Sequence, residues 1–155
     1  KDDLIELVKR GGVFYNIAGS TVSEVLADMI AAVPVPASVD AAALLRAIQE
    51  REDLMPTAVG NGIALPHPRS PILGDPSQQF ISICFPARPI DWNALDGKPV
   101  RTLVLIVSAS PKLHLKTLSR ISFLCRQDSF CALLEQRSSR EEIVAAIAEA
   151  ERAWK

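Results

Sequence analysis

The chain has 155 residues, 48% of them hydrophobic and 23% charged, with a formal net charge of -1. That length suits one domain with its own core, and a composition this apolar, without repeats or low-complexity stretches, excludes a disordered chain. The 17 Lys and Arg residues are spread along the sequence, which argues against nucleic acid as the main partner, and the longest strongly apolar run, Thr102 to Ala109, is far shorter than a membrane helix of ~20 residues.

Taken in chain order, residues 2–10 read as a short helix stopped by Gly11 and Gly12, and "VFYNI" after them suits a strand. Thr21 with Glu24 forms a capping-box signal for a second helix with Val22, Val25, Leu26, Met29 and Ile30 on one face, ending before Pro34. Ser38 is the expected cap of a third helix that runs to about Glu52 with Leu44, Leu45 and Ile48 inward. Met55 to Pro76 holds five prolines and three glycines, so it reads as loop with room for one short strand at "GIAL". "QQFISICFPA" and "VRTLVLIVSA" read as two strands, the second apolar enough for burial on both faces, with a turn at Asp96-Gly97 between them. Three helices follow: Lys112 to about Arg126, Ser129 to about Gln136, and Arg140 to about Trp154, the last announced by a second capping box, Ser139 with Glu142. Helices surrounding a few strands in mixed order imply an α/β fold, a sheet layered between helices.

The three cysteines, Cys84, Cys125 and Cys131, are an odd number without CxxC spacing, and no signal peptide is visible. Both features fit a reducing, cytoplasmic setting with the thiols buried as small hydrophobes. The expected unit is a single domain over residues 1–155. A start at Lys1 rather than Met is the pattern of a piece excised from a longer chain, with room upstream for another domain such as a DNA-binding head.

Three residues break local rules. His67 stands between Pro66 and Pro68, so it and Leu65 both precede a proline and are held out of helical conformation. A histidine on so stiff a frame loses little entropy on engaging a partner, although a plain loop histidine satisfies the same pattern. His114 heads a helical stripe with Leu118, Ile121 and Cys125, just where a buried strand gives way to a helix. It reads either as a core histidine bonded to a carbonyl or as a ligand-facing group at a helix N-terminus. Arg51 falls on the apolar face of the third helix, three residues after Ile48, and a guanidinium there needs an anion, supplied by a structural Asp or Glu or by a phosphate.

Two imidazoles and a guanidinium make a set suited to phosphate: one imidazole attacks phosphorus and the others donate to its oxygens, with no metal or cofactor required. There is no P-loop, no GxSxG and no HExxH.

At these residues the chain resembles the type-2 IIA domains of the phosphoenolpyruvate-dependent sugar phosphotransferase system, in the fructose, mannitol and nitrogen-regulatory branch. The likeness covers nearly the whole chain. "GNGIALPH" is similar to the motif that ends in the family's phosphorylated histidine, and "REDLMPTAVGNG" before it, "PIDWNALDGKPV" in the middle and "HLKTLSRISFLCRQDSF" after it keep the family's order. The resemblance implies a three-layer sandwich with a mixed, mostly parallel sheet. It implies His67 as phosphoryl acceptor through Nε2, His114 as second active-site histidine, and Arg51, sixteen positions before His67, as the site arginine. Implied partners are an HPr-like phosphocarrier or its nitrogen-branch counterpart, then a IIB domain for sugar transport or a regulatory target protein, with no direct nucleic-acid binding and no membrane insertion.

The chain departs from the pattern at Pro68, where relatives commonly carry a small residue. Pro68 removes an N–H that could contact the phosphoryl group, and Arg69 is placed to compensate in part. Apolar residues around the loop, Ile63, Leu65 and Trp92, are expected to dock the partner, and the helix beginning near Lys112 to lend its N-terminus. Two rivals stand beside this reading: a non-catalytic protein-binding module that keeps the fold, and a metal-dependent hydrolase built on His67 and His114, which lacks an inward carboxylate at ligand spacing.

Overall fold

The computed structural model of the protein describes residues 3–154. Its sheet has five strands, β1 (Val13–Ile17), β2 (Ala58–Gly60), β3 (Ile63–Ala64), β4 (Phe80–Pro86) and β5 (Thr102–Val107), in the order β1-β4-β5-β3-β2. The helices are α1 (Leu4–Gly11), α2 (Val22–Ala32), α3 (Ala41–Leu54), α4 (Pro111–Leu124), α5 (Asp128–Glu135) and α6 (Arg140–Ala153).

Period-two alternation sorts the central strands between two cores. Phe80, Cys84, Leu103, Leu105 and Val107 pack with Val25, Leu26, Met29 and Ile30 of α2 and Leu44 and Ile48 of α3. Ile81, Ile83, Phe85, Val104 and Ile106 pack with side chains of α1, α4, α5 and α6. Helices therefore cover both faces, as expected of a three-layer sandwich, and β4 and β5 are buried throughout.

The sheet is mixed, and its balance is even rather than mostly parallel. β1 runs parallel to β4 and β3 to β5, while β2 with β3 and β4 with β5 are antiparallel. The antiparallel pairs arise because β2–β3 is a tight hairpin and the segment between β4 and β5 folds back through the Asp96-Gly97 turn, without a crossover helix.

Several boundaries differ from expectation for local reasons. Asp2 lies outside the described residues, and α1 takes in Gly11 before stopping at Gly12, whose φ of 83° the helix cannot continue. Asp40, not Ser38, caps α3 by accepting from the Ala42 N–H, while the Ser38 hydroxyl donates to Gln78. At α2, Thr21 Oγ1 accepts from Glu24 N–H, but the Glu24 carboxylate takes the Ser20 N–H, one position early for a reciprocal box. At α6 the Ser139–Glu142 box is complete. Cys84 and Cys125 are buried free thiols, with burial pushing each up to about 12, and Cys131 is half-buried.

Candidate functional site

β3 and β5 are parallel neighbours, so both chains leave the sheet at the same end, where open α/β sheets bind ligands. β3 runs on through Leu65 and Pro66 to His67; β5 runs through Ser108 to α4, whose fourth residue is His114. The ladder extends past the formal strand, with Leu65 N–H donating to the Thr57 carbonyl and Ile106 N–H to the Pro66 carbonyl, each at 3.1 Å. Pro66 and Pro68 have no N–H to continue it, so the sheet ends there and the ring of His67 marks its edge.

His67 is 7% exposed, and its Nδ1 lies 2.7 Å from the Leu65 carbonyl. A carbonyl only accepts, so Nδ1 carries the proton and Nε2 keeps its lone pair. Burial holds the ring below the usual imidazole range; the Leu65 bond opposes this, Arg51 adds to the lowering, and Glu52 opposes it. His114 is pushed down to about 4, first by burial and then by His67 and Arg51. Both rings are neutral near pH 7.

The two rings stand 4.7 Å apart between centroids, tilted by 45°. His114 Nδ1 is 3.2 Å from the hydroxyl of buried Ser108; with that hydroxyl donating, the proton of His114 sits on Nε2. Arg51, in the last turn of α3, completes the group, and a hollow of about 190 Å³ is lined by Arg51, Val59, Leu65, His67, Leu118 and Ser122. Arg51 is half-buried rather than buried, and its partner is a backbone carbonyl, that of Met55 at 2.7 Å, instead of an acid. The donation satisfies a carbonyl at the open end of the helix and leaves the rest of the guanidinium fork for another acceptor.

The docking expectation needs correction. Ile63, Leu65 and Trp92 are 1%, 2% and 2% exposed, because they fill the two cores beneath the site. Among the exposed apolar residues, those adjoining Arg51, the hollow and His114 are Leu54 and Met55 at the end of α3, Val59 on β2, and Leu115 next to His114. Pro111 has no N–H and the Leu113 N–H is taken by Ser110, which reduces what the start of α4 can offer an anion.

Sequence reasoning missed four residues that support the site. Glu52 and Thr57 bond one another beside Arg51, Ser108 bonds His114, and fully buried Gln79 accepts from Ala109 N–H and donates to Thr117 Oγ1, fixing the turn into α4. The available signal was polarity: Gln79 is a polar residue directly before the mostly apolar strand β4. Among the described residues, no group of three or more His, Cys, Asp or Glu is arranged to hold a metal ion.

Comparison with known proteins gives the chain a family. The chain is 36% identical over 101 residues to a nitrogen regulatory protein of Bradyrhizobium diazoefficiens, an alignment spanning 64% of this chain and 63% of that one. It is 34% identical over 115 residues to a fructose-specific EIIA component of Haloferax volcanii, covering 71% and 73% of the two chains. The solved structure of the nitrogen regulatory protein IIA-Ntr from Neisseria meningitidis superposes with a TM-score of 0.73 at 22% identity, over 92% of this chain and 94% of that one, and shares the fold. Residues 6–150 match the family described as phosphoenolpyruvate-dependent sugar phosphotransferase system, EIIA 2, and the chain belongs to that family.

Proposed function

We propose that this protein is a phosphoryl carrier in which His67 Nε2 accepts a phosphoryl group from the phosphohistidine of an HPr-like protein in the cytoplasm. The observation that carries the reading is the Nδ1–H bond to Leu65, since it leaves Nε2 unprotonated on a buried, neutral ring beside His114 and Arg51. In the transfer, the N–P bond of the donor breaks as the bond to Nε2 forms. The donor ring, protonated on its other nitrogen, leaves as neutral imidazole, and the Nδ1 proton of His67, held by Leu65, becomes the matching proton of the product. Exchange of one phosphoimidazole for another needs little beyond alignment, so positioning is the main demand on the site.

His114 Nε2–H and the open fork of Arg51 serve the equatorial oxygens. Pro68 offers no N–H, which shifts that task to side chains, exposed Arg69 included. Leu54, Met55, Val59 and Leu115 form an apolar surround with basic residues among it, suited to a protein partner. Once loaded, the dianion on His67 either alters binding to a regulatory target or passes to a IIB domain; relatives named for nitrogen regulation and for fructose transport stand at similar identity.

Incubation with phosphoenolpyruvate, enzyme I and HPr tests the carrier reading. The expected result is an acid-labile adduct that disappears in His67→Ala. A wild-type chain that stays unmodified across cognate carriers, while binding partners equally well as His67→Ala, overturns it in favour of a binding module. Adding a IIB domain then separates relay from regulation.

A further inference from the structure

Glu52 follows Arg51 in the last turn of α3, and its carboxylate is the meeting point of three donors. Oε2 accepts from the Thr57 N–H at 2.6 Å and from the Trp92 indole N–H at 2.8 Å, and Oε1 accepts from the Thr57 hydroxyl at 2.7 Å. Thr57 and Trp92 are 6% and 2% exposed, so the carboxylate cannot swing away without stranding buried donors. Thr57 passes the constraint on: its carbonyl takes the Leu65 N–H at 3.1 Å, and the Leu65 carbonyl takes His67 Nδ1–H at 2.7 Å.

On its other side this path is held by β5, which pairs with Ile63 and Ala64 and donates the Ile106 N–H to the Pro66 carbonyl; on the β2 side supports are few. Pro56 and Pro66 have no N–H, and the β2–β3 ladder consists of the pairs Ala58 with Ala64 and Gly60 with Ile63, with an irregularity between them. The Leu65–Thr57 bond is the ladder's last rung before His67, and Glu52 is what fixes its Thr57 side to helix α3.

We propose that Glu52 is a positioning residue for His67: acting through Thr57 and Leu65, its carboxylate fixes the orientation of the ring and keeps the proton on Nδ1, so that Nε2 is the nitrogen presented to phosphorus. The inference rests on the carrier reading above for its use, but the ring geometry it explains is independent of transfer. The charge has a second effect. Glu52 favours the protonated ring, as the smallest of the influences on it, where burial and Arg51 disfavour it.

Glu52→Gln separates the two effects. The amide oxygen can accept from Thr57 N–H and Trp92 while the amide NH2 donates to Thr57 Oγ1, so the frame survives and the charge is lost. The test combines nitrogen NMR of the His67 ring in the full chain with the rate of phosphoryl acceptance from phosphorylated HPr. In wild type the ring signals are expected to report the Nδ1–H form. Glu52→Ala is expected to mix the two neutral tautomers and slow acceptance by about tenfold to a hundredfold, as misplacement near 1 Å does. Glu52→Gln is expected to keep the wild-type tautomer, titrate at lower pH and stay within about threefold of the wild-type rate, the cost of a slightly less basic nucleophile. Thr57→Val, which keeps the N–H and loses only the hydroxyl, is expected to show a smaller admixture, and it decides the matter if Glu52→Ala does not fold. Wild-type ring signals and rate in folded Glu52→Ala, or in Thr57→Val if Glu52→Ala is unfolded, overturn the proposal. If wild type accepts no phosphoryl group, the carrier reading fails and the tautomer comparison still decides the role of Glu52.

Discussion

Glu151 and Glu52 each pin a stretch of chain by accepting its N–H groups, but Glu151 closes the body of the fold and Glu52 borders the histidine pair. Glu151, on α6 and 6% exposed, accepts from Leu4 N–H at 2.7 Å and Ile5 N–H at 3.1 Å, capping α1 from the far end of the chain, with Arg120 at 4.0 Å. The other end of α1 is pressed onto β4: a Cβ on Gly11 would lie 1.9 Å from the Ile81 carbonyl oxygen, and the Ser82 hydroxyl donates to the Gly11 carbonyl. Nothing reactive hangs from this clamp, whereas the segment that Glu52 holds ends in a neutral imidazole. The same interaction therefore serves stability in one place and alignment in the other, and what separates them is the group carried by the clamped backbone.

The contrast is broken most severely at Gly11. Gly11→Ala forces α1 off β4 and is expected to lower the unfolding free energy by about 3 kcal/mol, the upper end for overpacking, read by chemical denaturation. Glu151→Ala leaves the first donors of α1 without their acceptor and is expected to cost about 2 kcal/mol. In both variants the folded fraction should accept phosphoryl groups at the wild-type rate with unchanged His67 ring signals. A shift of those signals in Glu151→Ala would show the two clamps to be one connected system.

The site side sharpens the contrast from the other direction. Arg51→Lys keeps the charge but loses the fork, and His114→Gln replaces the second imidazole. Each is expected to slow acceptance by about tenfold to a hundredfold, equivalent to about 1.4 to 2.8 kcal/mol in the barrier, with the melting temperature close to that of wild type. Equal losses of rate and stability would mean that the site residues are holding the fold instead.

What could be read from the sequence follows from range. β4 and β5 were visible because a continuous apolar run needs no knowledge of its neighbours, and His67, Arg51 and His114 stood out because each breaks a local rule. β2 was hidden: "AVG" lies in a stretch whose prolines and glycines read as loop, and its strand character comes only from pairing with β3. Glu52 and Glu151 were hidden for a similar reason, since both look like ordinary solvent-facing acids until the fold brings Trp92 to one and Leu4 to the other. Ile63, Leu65 and Trp92 could be seen to be apolar, but whether they faced a partner or the core depended on layers that no local window contains.

The smallest expected effect is a pH dependence that belongs to the histidine pair. His67 and His114 both titrate below the ordinary imidazole value in the folded protein, His114 at about 4. The unfolded chain, with free imidazoles near 6.5, therefore binds more protons than the native state in the window between, and stability rises with pH there. Reading downward, the contribution is intact above about 6.5 and lost as the pH falls towards 4. Because His114 is partly solvated, the loss between pH 6.5 and 5 is expected to be about 1 kcal/mol, less than the full shift implies. Denaturation curves across that window should show this slope in wild type and a shallower one in His114→Gln. An unchanged slope in His114→Gln would mean that its ring is as accessible to protons as a free imidazole. Phosphoryl acceptance by His67 should likewise persist below pH 6.5, and an acid limb at or above that value would contradict the burial of its ring.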